Sequence, residues 1–207
     1  MKKILMLIEN VWRRLDWHTN WLTWLEFALM LMIAPVVMRA NPQWFVEDGL
    51  VENIQLMVLA AAIVIALSAR NNRPLFVFAA MLVVFMIMRE TNLFRAYFCA
   101  RYLDEQTLCR WSSFEYGWIA VGIRAVFVAA MVCWFVYHKL WRPMWQYVCK
   151  APIFVWDFAV FGLMVVGGTV AEFASIDNEV LEECCELISY TALTNLIYRY
   201  KKVKISG

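Results

Sequence analysis

Six apolar runs restrict what this chain can fold into more than any motif does. They cover residues 21–38, 51–69, 74–88, 118–137, 153–171 and 180–198. A helix needs about 20 residues to cross the ~30 Å hydrocarbon layer of a bilayer, and most of these runs come close to that length. With 63% hydrophobic residues and a mean hydropathy of +0.60, the chain is too apolar for a soluble domain of 207 residues. It therefore reads as all-α: a single membrane domain over residues 1–207, built as a polytopic helical bundle of six transmembrane helices. The third run is short, and "MRETNLFRAYFCARYL" can continue it as an amphipathic helix beyond the membrane, within an outer connection over 89–117. The last run begins among four glutamates, so an alternative places it along the surface.

The amino-terminal "MKKILMLIENVWRR" starts basic, but charge returns after five apolar residues, so no cleavable signal peptide is expected. Ile4, Ile8, Val11 or Trp12, and Leu15 recur at helical spacing opposite Lys2, Lys3, Arg13 and Arg14. That pattern predicts an amphipathic interfacial helix over residues 1–20 leading into the first span. Lys and Arg set the orientation. Thirteen lie in the first twenty residues, the 70–73 turn, the 138–151 loop and the tail; five, all Arg, lie in the other connections. This predicts a multi-pass protein of the inner (plasma) membrane with both termini cytoplasmic. A basic inner face is the default for an inserted protein and gives no warrant for nucleic-acid binding; the expected partner is the lipid bilayer. Trp17, Trp21, Trp24, Trp141 and Trp145 suit an aromatic belt on the inner interface, and Trp44, Trp111 and Trp118 one on the outer.

Cys99 and Cys109 fall in the outer connection, an oxidising space if the membrane is a bacterial inner membrane. A disulfide between them would stabilise that loop by roughly 2–3 kcal/mol; two unpaired thiols are the alternative. Cys184 and Cys185 are adjacent and read as small packing residues. The two histidines, His18 and His138, both map to the cytoplasmic interface. That argues against a multi-histidine zinc hydrolase or a Ser-His-Asp site among the outer acids.

The last run, "DNEVLEECCELISYTALTNLIYRY", carries the most chemical information. Glu179, Glu182, Glu183 and Glu186 follow i, i+3, i+4, i+7 and stack on one helix face, which Tyr190 and Thr194 continue inward. Four ionised carboxylates at that spacing are costly in lipid and must be solvated, protonated or matched by cations. Asp177 can cap the helix, and early glutamates favour the positive end of its dipole, but that does not account for Glu186. The stretch "VEDGLVENIQLMVL" is similar. Asp48 or Gly49 can start the helix, whereas Asp48, Glu52 and Gln55 share one face. Arg89, Glu90, Asn92 and Arg95 follow the third run, Glu172 ends the fifth, and Arg124 lies in the outer third of the fourth. The expected outer polar pocket comprises Asp48, Glu52, Gln55, Arg89, Glu90, Arg124, Glu172, Glu182, Glu183, Glu186 and Tyr190. Glu52, Glu172, Glu183 and Glu186 are the candidate ligands for a divalent cation, should the pocket hold one. On the inner side, Glu26 and Asp157 lie about one turn into their runs and are expected to pair with the Lys/Arg loops or snorkel to them.

"EDGLVENIQ", "RETN" at the end of a run and "EECCELI" in the last helix resemble a family of uncharacterised bacterial polytopic inner-membrane proteins with EDGxxE, RE and EExxEL motifs. The resemblance spans about residues 47–190 and implies Glu47, Asp48, Glu52, Arg89, Glu90, Glu182, Glu183 and Glu186 as signature positions. It brings no activity, and "TNLF" after RE departs from the pattern.

Three functions fit. One is a non-enzymatic transporter-like, channel or sensing subunit with an acid-lined outer cavity, acting as a homo-oligomer or with a partner protein, since six spans leave little room for soluble domains. Gly167–Gly168 is its candidate helix break. Another is an enzyme acting on a lipid or lipid-linked substrate through a carboxylate-bound cation, although no nucleophile elbow, P-loop or DxxD pair is present. The third is a scaffold whose buried ion pairs specify helix packing.

Overall fold

The computed structural model describes residues 9, 11–39, 41, 44–45, 49–91, 111, 114–115, 117–173 and 179–204, without the side chains of 172, 173 and 179. Among the described residues there are seven helices: α1 (Trp21–Arg39), α2 (Leu50–Leu67), α3 (Arg73–Glu90), α4 (Gly117–Tyr137), α5 (Trp141–Lys150), α6 (Val155–Phe173) and α7 (Glu179–Lys202). Helices α1, α2 and α4 are long and apolar enough to cross a membrane, and the apolar part of α6, Val155–Ala171, is slightly shorter.

The least apolar long helix is the most enclosed. Helix α7 packs against α6, α2 and α1, while α3 packs on α2 and α4 on α3. On one side of α7, Tyr190 and Ile197 meet Leu59 and Ala62 of α2 and Phe76 and Val83 of α3. On the other, Cys185, Ile188 and Ala192 meet Val160 and Met164 of α6, backed by Phe27 and Met30 of α1. Between these apolar contacts α7 buries Ser189, Thr191 and Thr194. Each hydroxyl donates to a carbonyl of its own helix, on Glu186, Leu187 and Tyr190 respectively, at 2.7–2.8 Å. A hydroxyl bonded within the helix leaves no polar group needing water, so a polar sequence can occupy the centre of the bundle. The outward faces are apolar: Leu31, Met38, Met57 and Val126 are all at least 70% exposed.

Cross-links at two ends fix the direction of the helices, and Trp134 late in α4 donates to the Pro74 carbonyl at the start of α3 at 3.0 Å. Asn195 and Arg199 near the end of α7 reach the starts of α1 and α6, and Lys201 reaches Ser68 after α2. At the opposite end Gln55 and Arg89 reach Glu183 and Glu186. The long helices therefore alternate in direction, with a basic end and an acidic end.

Several expectations change. Residues 9, 11 and 12 are helical, but the chain turns at Arg13–Arg14, so the amino-terminal helix does not extend to residue 20. Instead β1 (Leu15–Asp16) pairs in parallel with β2 (Ile153–Phe154), Leu15 opposite Ile153, a small departure from an all-α fold. The Arg14 side chain donates to the carbonyls of Ala151 (2.9 Å) and Val148 (2.6 Å), satisfying the open end of α5. The β2 strand also delays the helix of the fifth run, α6, until Val155. The 138–151 loop contains a helix, α5, that apolar run length could not reveal because it is amphipathic. Its Trp141, Met144, Trp145 and Val148, spaced i, i+3, i+4, i+7, are exposed. Helix α6 continues through Gly167–Gly168 rather than breaking there. The glycines admit Cys185: a Cβ on Gly167 would stand 3.2 Å from its Sγ. Helix α3 ends at Glu90, where Thr91 caps it; the continuation expected over 92–103, and the Cys99–Cys109 pair, lie outside the described residues.

Candidate functional site

At the acidic end three helices bring polar side chains together. Gln55 is one turn into α2, fully buried, and its amide donates to both the Oε2 (2.7 Å) and the backbone carbonyl (3.1 Å) of Glu183. From α3, Arg89 bonds Glu90 at 3.1 Å and Glu186 at 3.0 Å. The Tyr190 hydroxyl donates to Glu90 at 2.7 Å. Glu52 and Glu182, both half-buried, lie within electrostatic range of Glu183. A cleft of about 170 Å³ opens here between α3, α6 and α7. Arg89, Glu182, Glu186, Ser189 and Tyr190 form its polar wall, and Phe161 and Met164 face them.

Of the expected pocket residues, Arg89, Glu182, Glu186 and Tyr190 line this cleft, and Gln55, Glu90 and Glu183 are hydrogen-bonded near it. Arg124 is half-buried on α4, which packs on α3, and is not among the cleft residues. Gln55 and Glu183 lie behind the cleft wall, where Gln55 Oε1 is buried without a hydrogen-bond partner among the described residues. Gly49 precedes α2 with extended backbone and no side-chain cap, and its carbonyl accepts from the Asn53 amide at 2.8 Å. Asp48 and the side chain of Glu172 lie outside the described residues. Among the described residues no group of three or more His, Cys, Asp or Glu converges to hold a metal ion.

The basic end holds a second network that sequence reasoning did not assemble. Glu26, Thr23, Asp157 and Asn195 are all fully buried. The Asn195 amide nitrogen lies 2.8 Å from Glu26 Oε1, 3.1 Å from Asp157 Oδ1 and 3.3 Å from Thr23 Oγ1. Thr23 donates its hydroxyl to Asp157 Oδ1 at 2.7 Å. Arg199 then bridges Asp157 (2.7 Å) and Asp16 (3.1 Å), with its guanidinium over the Phe154 ring at 3.9 Å. Asn20 joins through Asn195 at 2.8 Å. Asp157 does pair with a tail cation, as expected. Glu26 does not snorkel and has no ion pair among the described residues: it is enclosed between α1 and α7, and the Arg199 guanidinium is engaged by the two aspartates. Asp16 lies outside the apolar runs. Partial burial would raise its carboxyl, but the His18 backbone N–H and ring and then Arg199 outweigh that and hold it below its ordinary value. Thr23, Glu26, Asp157 and Asn195 are polar residues inside apolar runs, and Asp16, Asn20 and Arg199 lie just outside them.

Neither protein-family models, curated proteins nor solved structures match this chain.

Proposed function

We propose that the protein is a non-enzymatic, multi-pass subunit of a bacterial inner membrane, transporter-like, channel-forming or sensing, whose acid-walled outer cleft takes a cation. In this reading α1, α2, α3, α4, α6 and α7 are the six spans, both termini and α5 lie at the cytoplasmic side, and any output runs through a homo-oligomer or partner protein. The cleft is the observation that carries it: Glu182 and Glu186 stand on one wall, with Arg89, Ser189 and Tyr190 beside them and apolar side chains opposite. Ionisable groups turned to a bundle interior characterise cation and proton pathways. The apolar outward faces support lipid contact, and the exposed stripe of α5 suits a helix lying in the interface. The proposed kinship with polytopic proteins bearing EDGxxE, RE and EExxEL motifs belongs to the same reading. Six of its positions, Glu52, Arg89, Glu90, Glu182, Glu183 and Glu186, gather at one end of the bundle.

Thermal unfolding of the full chain in lipid nanodiscs, against a panel of alkali, alkaline-earth and organic ammonium cations, tests the reading. One class should raise the wild-type Tm in proportion to the logarithm of its concentration, and Glu186→Gln should abolish the rise. A Tm indifferent to every cation, or a rise that survives Glu182→Gln and Glu186→Gln, would leave the packing role as the better account. That role has support of its own, because Arg89, Glu90, Glu186 and Tyr190 are joined by direct hydrogen bonds or ion pairs and Gln55 holds Glu183. The lipid-enzyme reading with a divalent cation has no described ligand set behind it.

A further inference from the structure

The basic-end network leaves one carboxylate oxygen without a donor among the described residues. Three oxygens surround the Asn195 amide nitrogen, which has two hydrogens. Thr23 spends its one hydrogen on Asp157, and both bridging nitrogens of Arg199 go to Asp157 and Asp16. What remains is Glu26 Oε2, wholly buried and without a hydrogen-bond partner among the described residues.

We propose that Glu26 is a proton-binding site, with an exchangeable proton carried on Oε2. A helix interior has no spare N–H, because each is used by the carbonyl four residues back, but every such carbonyl keeps a second lone pair. An anionic oxygen needs a donor that none of the described residues gives Oε2, whereas an O–H needs only an acceptor, of which a helix interior has many. The charged groups facing it lead the same way. Asp157 approaches from α6 and Arg199 from α7, and Asp16, with His18 at 2.8 Å, lies beyond Arg199 on β1. With Glu26 ionised, three carboxylates share one guanidinium; with it neutral, two do.

Glu26 lies two hydrogen bonds from the surface. Asp16, Asn20 and Arg199 line an open cleft at the basic end. From Asn20 the hydrogen bonds run to Asn195 and on to Glu26 at 2.8 Å each. Loading occurs as water from that cleft reaches Glu26: one O–H bond of a hydronium breaks, the Oε2–H bond forms, and one water molecule and a neutral carboxyl result, the Asn20 and Asn195 amides passing no proton themselves. The site lies at the other end of the bundle from the acid-walled cleft and does not depend on it.

Infrared spectroscopy of the full chain in nanodiscs at neutral pH reads the proton directly. A carbonyl-stretch band of a protonated carboxylic acid, shifted in heavy water, should be present in wild type, lost in Glu26→Gln and retained in Glu186→Gln. Gln is close to isosteric with the protonated acid, so Glu26→Gln should also keep the wild-type abundance and Tm. The proposal is overturned if the band is unchanged in Glu26→Gln. It is equally overturned if that variant fails to accumulate, because a folding requirement for the charge means an ionised Glu26.

Discussion

The two ends of the bundle are built from the same residue types and handle them in opposite ways. At the acidic end the carboxylates outnumber the cations, yet the main ion-pairing side chain, Arg89, is 67% exposed and a cleft lies open beside it. At the basic end the acids are few, yet Glu26 and Asp157 are fully buried, and the Arg199 that serves Asp157 is only 11% exposed. Enclosure, rather than the number of charges, decides what each interaction is worth. Near water, lost ion pairs are replaced by hydration; in the bundle interior nothing replaces them.

Removing partners one at a time tests that contrast. The largest effect is expected for Asp157→Ala, which strips Arg199 and Thr23 of their buried partner. It should cost about 3–5 kcal/mol in equilibrium unfolding in mixed micelles. A loss below about 1 kcal/mol would show the basic-end network to be hydrated after all. Next, Gln55→Leu leaves Glu183 without its amide donor and should cost about 1–3 kcal/mol by the same measurement. An unchanged stability would mean that water reaches Glu183 from the cleft.

Asp16 gives a smaller, pH-dependent effect. Its folded-state carboxyl is held below the ordinary value of 3.8 by His18 and Arg199 against partial burial. The stabilisation is therefore fully present above pH 3.8 and lost as the pH falls below that through the folded-state value. Wild type should lose more stability over that acid interval than Asp16→Asn, and parallel curves would remove Asp16 from the ion-pair network. Arg89→Gln should matter least, by about 0–1 kcal/mol, since an exposed guanidinium contributes little even with two carboxylate partners. A loss comparable to that of Asp157→Ala would erase the distinction between the two ends.

The acidic end was legible because its residues repeat. Glu182, Glu183 and Glu186 declare one face of one helix, and any helix packed on that face had to bring groups such as Gln55 or Arg89 to it. The basic end had no such repeat. Thr23, Glu26, Asp157, Asn195 and Arg199 come from three helices, and no spacing within a run reveals a neighbour on another helix. Helix α5 escaped for a related reason: four apolar residues on one face of ten average out to an ordinary polar loop.

What the sequence determined by itself was local: where apolar runs make helices, which faces of those helices are polar, and which end gathers Lys and Arg. These follow from periodicity and run length, which each segment carries without reference to the others. The tertiary structure alone decided which polar residues meet and which lose water. It placed the most polar long helix, α7, at the centre, let Cys185 settle against Gly167 and Gly168, and enclosed Glu26 beyond the reach of the basic loops. Burial belongs to the packed assembly of several helices, so no one segment encodes it.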